Sequence, residues 1–220
     1  NQFIGKGYYG KQNKGYGWIL TKNEDEQFDE VFFESKIAKA FALRQEYFSN
    51  EATSAFRLLN GEGDGLGGLT IDYFDGYLMV TLYSKGIYSF SEAILEALEK
   101  VITNQKIKYS GLYQKKRFDD KGTYVEDNDF VSGIQAPEPL IIKENNMNYA
   151  IYLNDGPMVG IFLDQREVRK TLRDQYAKGK TVLNTFSYTG AFSVACALGG
   201  SVKTTSVDLA NRSRAKTKEQ

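Results

Sequence analysis

TVLNTFSYTGAFSVACALGGSVKTTSVDLA, residues 181–210, is the stretch whose reading decides the fold. It opens on a short apolar strand, crosses a polar turn with a single glycine, runs into a helix of small residues and closes on a second strand, TTSVDLA. The periodicity passes from continuous apolar to helical and back to extended, a β-α-β order that begins a parallel, Rossmann-like sheet. In such sheets a ligand lies across the carboxyl ends of the strands, at the turn into the first helix. That turn is Asn184 to Gly190 here. Asp208 ends the second strand eighteen residues after Gly190, at about the spacing from which a carboxylate accepts both hydroxyls of a ribose.

The ligand class follows from what the turn lacks. The fingerprint G-x-G-x-x-G is missing, and one glycine accommodates a pyrophosphate poorly, which favours a nucleoside ligand without phosphates, such as S-adenosylmethionine, over NAD. Phe186 and Tyr188 stand where they can pack on a base or an aliphatic arm. An apolar strand ending in an acid also occurs in α/β proteins that bind no such ligand, so the pattern alone leaves both readings open.

Upstream, DQREVRKTLRDQYAKGK is helical by composition and stops at Gly179. Residues 56–154 read as a central α+β domain. TIDYF and YLMVTLYS are strands joined by the turn pair Asp75-Gly76. SFSEAILEALEKVITNQ is an amphipathic helix with Ser89 or Ser91 as its N-cap. GLYQKKRF and LIIKENNMNYAIYLN return to strands. Residues 23–55 read as a helical connector, with one or two helices interrupted near Glu34 and Ser35, and 1–22 as the end of a small β unit. Residues 155–220 are the start of the Rossmann-like domain, expected to be incomplete. The missing initiator Met suggests that the N-terminus is trimmed or not covered, the first residues belonging to something larger.

Composition narrows the chemistry. Lys plus Arg and Asp plus Glu number 28 each, so the whole-chain charge argues for no polyanionic partner and any RNA contact rests on local patches. There is no histidine and one cysteine, which removes disulfides, a Cys-rich zinc site and the commonest base, and suits a cytoplasmic setting with no metal. No apolar run approaches the ~20 residues that span a bilayer, and the N-terminal residues lack a signal-peptide core, so no membrane association is expected. GEGDGLGG fails the EF-hand spacing, with Tyr73 at the closing position when Glu62 is counted first, and reads as a structural turn. Arg57 before it either contacts RNA or pairs with Asp64 or Asp72. Lys106, Lys108, Lys115, Lys116 and Arg117, interleaved with Tyr109 and Tyr113, have the composition of a single-strand RNA surface or of a solvated face. Cys196 lies within a helix of small apolar residues, where a free thiol packs as a small hydrophobe rather than acting as a nucleophile.

GEGDGLGGLTIDYF (61–74), NDGPMVGIFLDQREVR (154–169), VLNTFSYTGAFSVACALGG (182–200) and SVDLANRSR (206–214), in this order, resemble the bacterial 23S rRNA cytosine-5 methyltransferase family. The resemblance runs from Lys11 onward. It implies a fold of three parts: the C-terminal remnant of a PUA-like β domain, a central α+β domain, and the first β-α-β of a Rossmann-like methyltransferase domain. It also implies S-adenosylmethionine as cofactor and ribosomal RNA as partner, with a homodimer possible. Phe186, Ser187, Tyr188, Thr189 and Gly190 are then cofactor contacts, Asp208 holds the ribose, and Phe162, Asp164, Gln165 and Arg166 lie beside the cofactor and the target base. Arg166 is expected to grip a methionine carboxylate or an RNA phosphate. The family's mechanism adds a cysteine to the flipped base before methylation of carbon 5. That cysteine comes from a later strand, so it is expected beyond Gln220 and the 220 residues alone are expected to be inactive. The alternatives are a relative that methylates a guanine nitrogen and an RNA-binding fragment without activity.

Overall fold

The computed structural model describes residues 2–12, 15–118, 129–156, 158–210 and 215–218. Pro157 and residues 211–214, parts of two of the motifs quoted above, lie outside the described residues. The chain divides into two compact units, one of residues 1–50 and 56–136, the other of residues 51–55 and 137–220.

The first unit begins with an antiparallel hairpin, β1 (Lys6–Gln12) and β2 (Gly15–Thr21). Tyr8 and Trp18 face each other across it and stack, ring centroids 5.3 Å apart. Tyr8 donates to the Gly67 carbonyl at 2.7 Å and Trp18 Nε1 to Glu62 at 2.7 Å, so the aromatic face of the hairpin docks on the glycine-rich turn. A Cβ on Gly67 would stand 2.2 Å from the Trp18 ring. This close approach accounts for part of the GEGDGLGG composition. Asp64 in the same turn takes both terminal nitrogens of Arg44, at 3.0 and 2.9 Å.

Next comes α1 (Glu30–Leu43), capped by Asp29, whose carboxylate accepts from Phe32 N at 3.0 Å. It runs through Glu34 and Ser35 without a break, because Phe33, Ile37, Ala40 and Phe41 recur at helical spacing and are all buried. The expected connector is therefore a core element of the first unit, packed against the helix described below as α3. Sequence periodicity shows that a helix is apolar on one face and does not show which partner covers that face.

The sheet of this unit has the order β3 (Ala55–Asn60), β4 (Leu69–Phe74), β5 (Tyr77–Leu82), β6 (Gly111–Lys116) and β7 (Phe130–Gly133). β4 and β5 pair antiparallel through the Asp75-Gly76 turn, both residues at positive φ, the geometry that matches strand twist in a tight hairpin. β5 and β6 are parallel, and the crossover between them carries α2 (Lys85–Tyr88) and α3 (Ser91–Gln105). α3 presents Ile94, Ala97, Leu98, Val101 and Ile102 to the core. Its N-cap is Phe90, with no side-chain cap, rather than either serine. Ser84 does cap, on the short α2, accepting from Ile87 N at 3.4 Å.

The second unit starts with the hairpin β8 (Leu140–Glu144) and β9 (Met147–Ile151), turned by Asn145 and Asn146, both at positive φ. This hairpin belongs with the Rossmann-like part, not with the central domain expected to end at residue 154. Asparagine pays less than other residues for left-handed backbone, so the turn was legible and its allegiance was not. A 3-10 turn (Leu163–Gln165), α4 (Arg166–Thr171) and a π-helical turn (Leu172–Tyr176) follow without interruption. β10 (Thr181–Thr185), α5 (Ala191–Leu198) and β11 (Lys203–Val207) then complete the expected β-α-β, with β10 and β11 parallel and in register from Thr181 with Lys203 to Thr185 with Val207.

Because α1 is core, Phe33→Ala should cost about 3–5 kcal/mol of unfolding free energy, as large-to-small changes at fully buried aromatics do. Urea denaturation measures it, and a loss below about 1 kcal/mol would return α1 to the status of a connector.

Candidate cofactor-binding site

Between β10 and α5 the chain makes a turn in which two non-glycine residues, Phe186 and Tyr188, hold φ of 55° and 50°. Left-handed backbone costs such residues about 1–3 kcal/mol each, so the turn must be held by its surroundings. Ser187 N donates to the Val207 carbonyl at 3.1 Å, and Tyr188 N to Asp208 Oδ2 at 2.8 Å. The other oxygen of Asp208 accepts from Ala210 N at 2.9 Å. Thr189 Oγ1 donates to the Gly160 carbonyl at 2.5 Å, and Thr217 Oγ1 to the Tyr188 carbonyl at 3.2 Å. Gly190 then caps α5 at φ 86°, and a Cβ there would meet Thr217 at 2.9 Å. Asn184 reaches Ser193 on α5 at 3.1 Å, and Ser193 meets Ser206 on β11 at 2.7 Å, so the two strands and the helix are tied directly beneath the turn.

The turn walls one side of a cleft of about 250 Å³, and the segment from Gly160 to Arg169 walls the other. Phe162, Gln165, Asn184, Phe186, Ser187, Tyr188 and Thr189, seven of the positions expected to meet a cofactor, line it. The Phe162 and Tyr188 rings meet across it with centroids 5.4 Å apart, and Phe186 is exposed at its rim. Gly190 and Asp208 do not line this cleft; they hold the turn that does.

Arg166 does not reach the cleft. Its Nε is 3.1 Å from Glu167, and the arginine on the cleft wall is Arg169. Helical spacing does not separate the two arginines, since Phe162, Gln165, Arg166 and Arg169 stand at i, i+3, i+4 and i+7 of one face; their partners do, Glu167 holding Arg166 and Glu144 holding Arg169. Asp164 is exposed and lies outside the cleft as well. The partner of Arg169 also went unrecognised in the sequence. Glu144 takes both Nε and Nη2 of Arg169 at 2.6 Å, and both side chains are buried. A signal was present, since β8 alternates buried and exposed and puts Glu144 inward with Leu140 and Ile142. A carboxylate on an apolar face needs a buried cation.

Burial pushes the Cys196 thiol up, and a raised thiol is a poor nucleophile. In the first unit, Lys115 is withdrawn from any RNA surface. It is buried, pairs with Asp129 at 2.6 Å, and has its ammonium pKa lowered by desolvation. It shares the β6 face of the buried Tyr113, two residues before it. Arg57 grips Asp72 through Nε at 2.8 Å and Nη2 at 3.1 Å. Lys116 lies over the Tyr88 ring at 5.4 Å and Arg117 over the Tyr83 ring at 5.6 Å.

Residues 56–220 match the S-adenosylmethionine-dependent methyltransferase family, and residues 1–22 match a PUA-like domain. The chain belongs to the S-adenosylmethionine-dependent methyltransferases. A Bacillus subtilis (strain 168) member, provisionally named the ribosomal RNA large subunit methyltransferase YwbD, is 61% identical over 219 residues, which cover 100% of this chain and 54% of that protein. Ribosomal RNA large subunit methyltransferase I of Alteromonas mediterranea is 34% identical over 210 residues, 94% of this chain and 51% of that one. A crystal structure of a provisionally named methyltransferase complexed with SAH is 40% identical and superposes with a TM-score of 0.88, covering 98% of this chain and 54% of that chain. A Streptococcus mutans structure, provisionally named a SAM-dependent methyltransferase, is likewise 40% identical, with a TM-score of 0.89 over 98% of this chain and 54% of the other. The chain thus spans about half the length of the relatives it matches.

The site fits the cofactor of this methyltransferase family. It offers aromatic rings and a turn whose shape, held by the acid after the second strand, is fixed before any ligand arrives. Among the described residues no group of three metal-ligating side chains occurs, and no helix is long and apolar enough to cross a membrane.

Burial pushes the Tyr188 phenol from its ordinary 10.0 up to about 12, a hydrogen bond with the Gly160 backbone opposing the rise. Between those values the unfolded chain has lost a proton that the folded chain keeps. The stability this phenol contributes is thus complete below 10 and is lost as pH climbs through about 12. Tyr188→Phe should therefore lose about 1–2 kcal/mol less than the parent over that window. Urea denaturation at the two ends of the window measures the difference, and equal losses would refute the assignment.

Proposed function

We propose that the protein methylates large-subunit ribosomal RNA, at carbon 5 of a cytosine, and that the cleft beside residues 184–190 holds S-adenosylmethionine. The prefixed turn at the carboxyl end of β10, locked to Asp208, carries this reading. Such a turn on parallel strands is where α/β sheets take nucleoside ligands. The names of the relatives supply the substrate class, and the resemblance of the four motifs supplies the carbon-5 position.

Bound there, S-adenosylmethionine supplies an electrophilic methyl group. Asp208 accepts from the ribose hydroxyls. A carboxylate offers about four acceptor sites, so gripping the turn and the ribose are compatible. Phe162 and Phe186 cover the ligand and keep water out. Asn184, Ser187 and Thr189 shape the floor, with Gln165 on the facing wall.

Carbon-5 chemistry requires a nucleophile that adds to the neighbouring carbon of the base. Cys196, buried beneath the turn with its thiol raised, is not that group. The nucleophile is assigned to the longer protein, and these 220 residues alone are taken to be inactive. Lys116 and Arg117, each backed by a tyrosine ring, are assigned to RNA, since cation and ring pairs suit phosphates and unstacked bases.

Two measurements test this on the full-length protein. Calorimetry with S-adenosylhomocysteine should show Asp208→Ala weakened by about tenfold or more, the worth of a charge-assisted hydrogen bond. Equal affinity would sink the ribose assignment. Incubation with S-adenosylmethionine and large-subunit rRNA, followed by nucleoside mass spectrometry, should yield 5-methylcytidine. A methylated guanosine would move the protein to the guanine-nitrogen enzymes, and no methylation would leave an RNA-binding protein.

A further inference from the structure

Arg169 is over-provided for a structural role. Glu144 occupies its Nε and Nη2, and Nη2 also donates to the Phe162 carbonyl at 2.7 Å. Nη1 makes no hydrogen bond among the described residues, although the side chain is only 1% exposed. A buried ion pair is weak evidence of a stabilising purpose, because apolar residues of equal volume often do as well. The guanidinium is held in place by more than its carboxylate: the Tyr149 and Phe192 rings stand 5.9 and 5.4 Å from its carbon. It is also the sole cation among the described residues that line the cleft.

We propose that Arg169 is the anchor for the carboxylate at the amino-acid end of the ligand, which it receives on the guanidinium edge that Glu144 leaves open. This rests on the reading of the cleft as a site for S-adenosylmethionine and assigns one end of that ligand to one residue. The planar fork of arginine serves two carboxylates on different edges, which the single ammonium of lysine cannot do with the same geometry. Glu144 balances the charge before the ligand arrives, so the empty wall carries no uncompensated ion. When the ligand carboxylate arrives, the N-terminus of α5 adds favourable potential, since Ala191 and Phe192 of its first turn line the same cleft and a helix N-terminus attracts anions. Arg166, the residue expected in this role, is committed to Glu167 and lies outside the cleft.

Isothermal titration calorimetry on the full-length protein tests the anchor with two ligands, S-adenosylhomocysteine and its decarboxylated analogue, which keeps the adenosine, the sulfur and the amine. The parent protein should prefer S-adenosylhomocysteine by about tenfold or more, the worth of a charge-assisted hydrogen bond. In Glu144→Met/Arg169→Met, which removes both charges and strands neither, the preference should fall to within about twofold while affinity for the analogue stays within about threefold of the parent. Should the double variant fail to fold by circular dichroism, Arg169→Lys reads the same preference with the charge retained, and it too should lose most of it. A preference kept in the variant, or absent from the parent, overturns the anchor. A parent that binds neither ligand overturns the cofactor reading, and the anchor with it.

Discussion

The buried bidentate pair of Glu144 and Arg169 is the interaction on which the second unit depends. Glu144 ends one strand of the hairpin, Arg169 stands on the helix after the FLDQR segment, and the same guanidinium holds the Phe162 carbonyl. The hairpin and the segment from Phe162 to Arg169 are thereby fixed to one another at the cleft wall. Removing either charge alone would strand the other in a medium that cannot solvate it, at a cost of about 3–5 kcal/mol. The pair therefore acts as a constraint more than as a source of net stability. It fixes where the guanidinium lies on the cleft wall.

That turn is the second constraint, and it works by strain. Phe186 and Tyr188 are kept in left-handed backbone by hydrogen bonds to Asp208, Val207 and Gly160. A loop already in shape spends no ordering entropy when a ligand binds, and preorganisation of this kind converts contact into affinity. Asp208 thereby acts on the backbone of the protein, and its own position is fixed by the same bonds.

The first unit shows how misleading composition is without packing. Lys115, Lys116 and Arg117 are consecutive and look alike in the sequence, yet one is buried on Asp129 while the other two lie on tyrosine rings. Strand alternation separates neighbours onto opposite faces, but which face is covered depends on strands and helices from elsewhere in the chain. For the same reason α1 reads as a connector and is core, and the 140–151 hairpin reads as part of one unit and belongs to the other.

Local patterns were enough for most of the elements and for one wall of the site. The β-α-β order of residues 181–207, the Asp75-Gly76 turn, the amphipathic 91–105 helix and the positions from Asn184 to Thr189 follow from periodicity, turn chemistry and the length of a strand, all of which act between near neighbours. On the other wall Phe162 and Gln165 were expected from the resemblance, and only the tertiary structure put Arg169 and its partner there. Arg169 rather than Arg166 lines the cleft, and it is Arg169 that meets Glu144, on a hairpin some twenty residues earlier in the chain that folds back to it. The physical reason is range: backbone propensities are local, whereas the pairing of a buried charge is a contact between residues 25 apart in the chain, specified by neither segment alone.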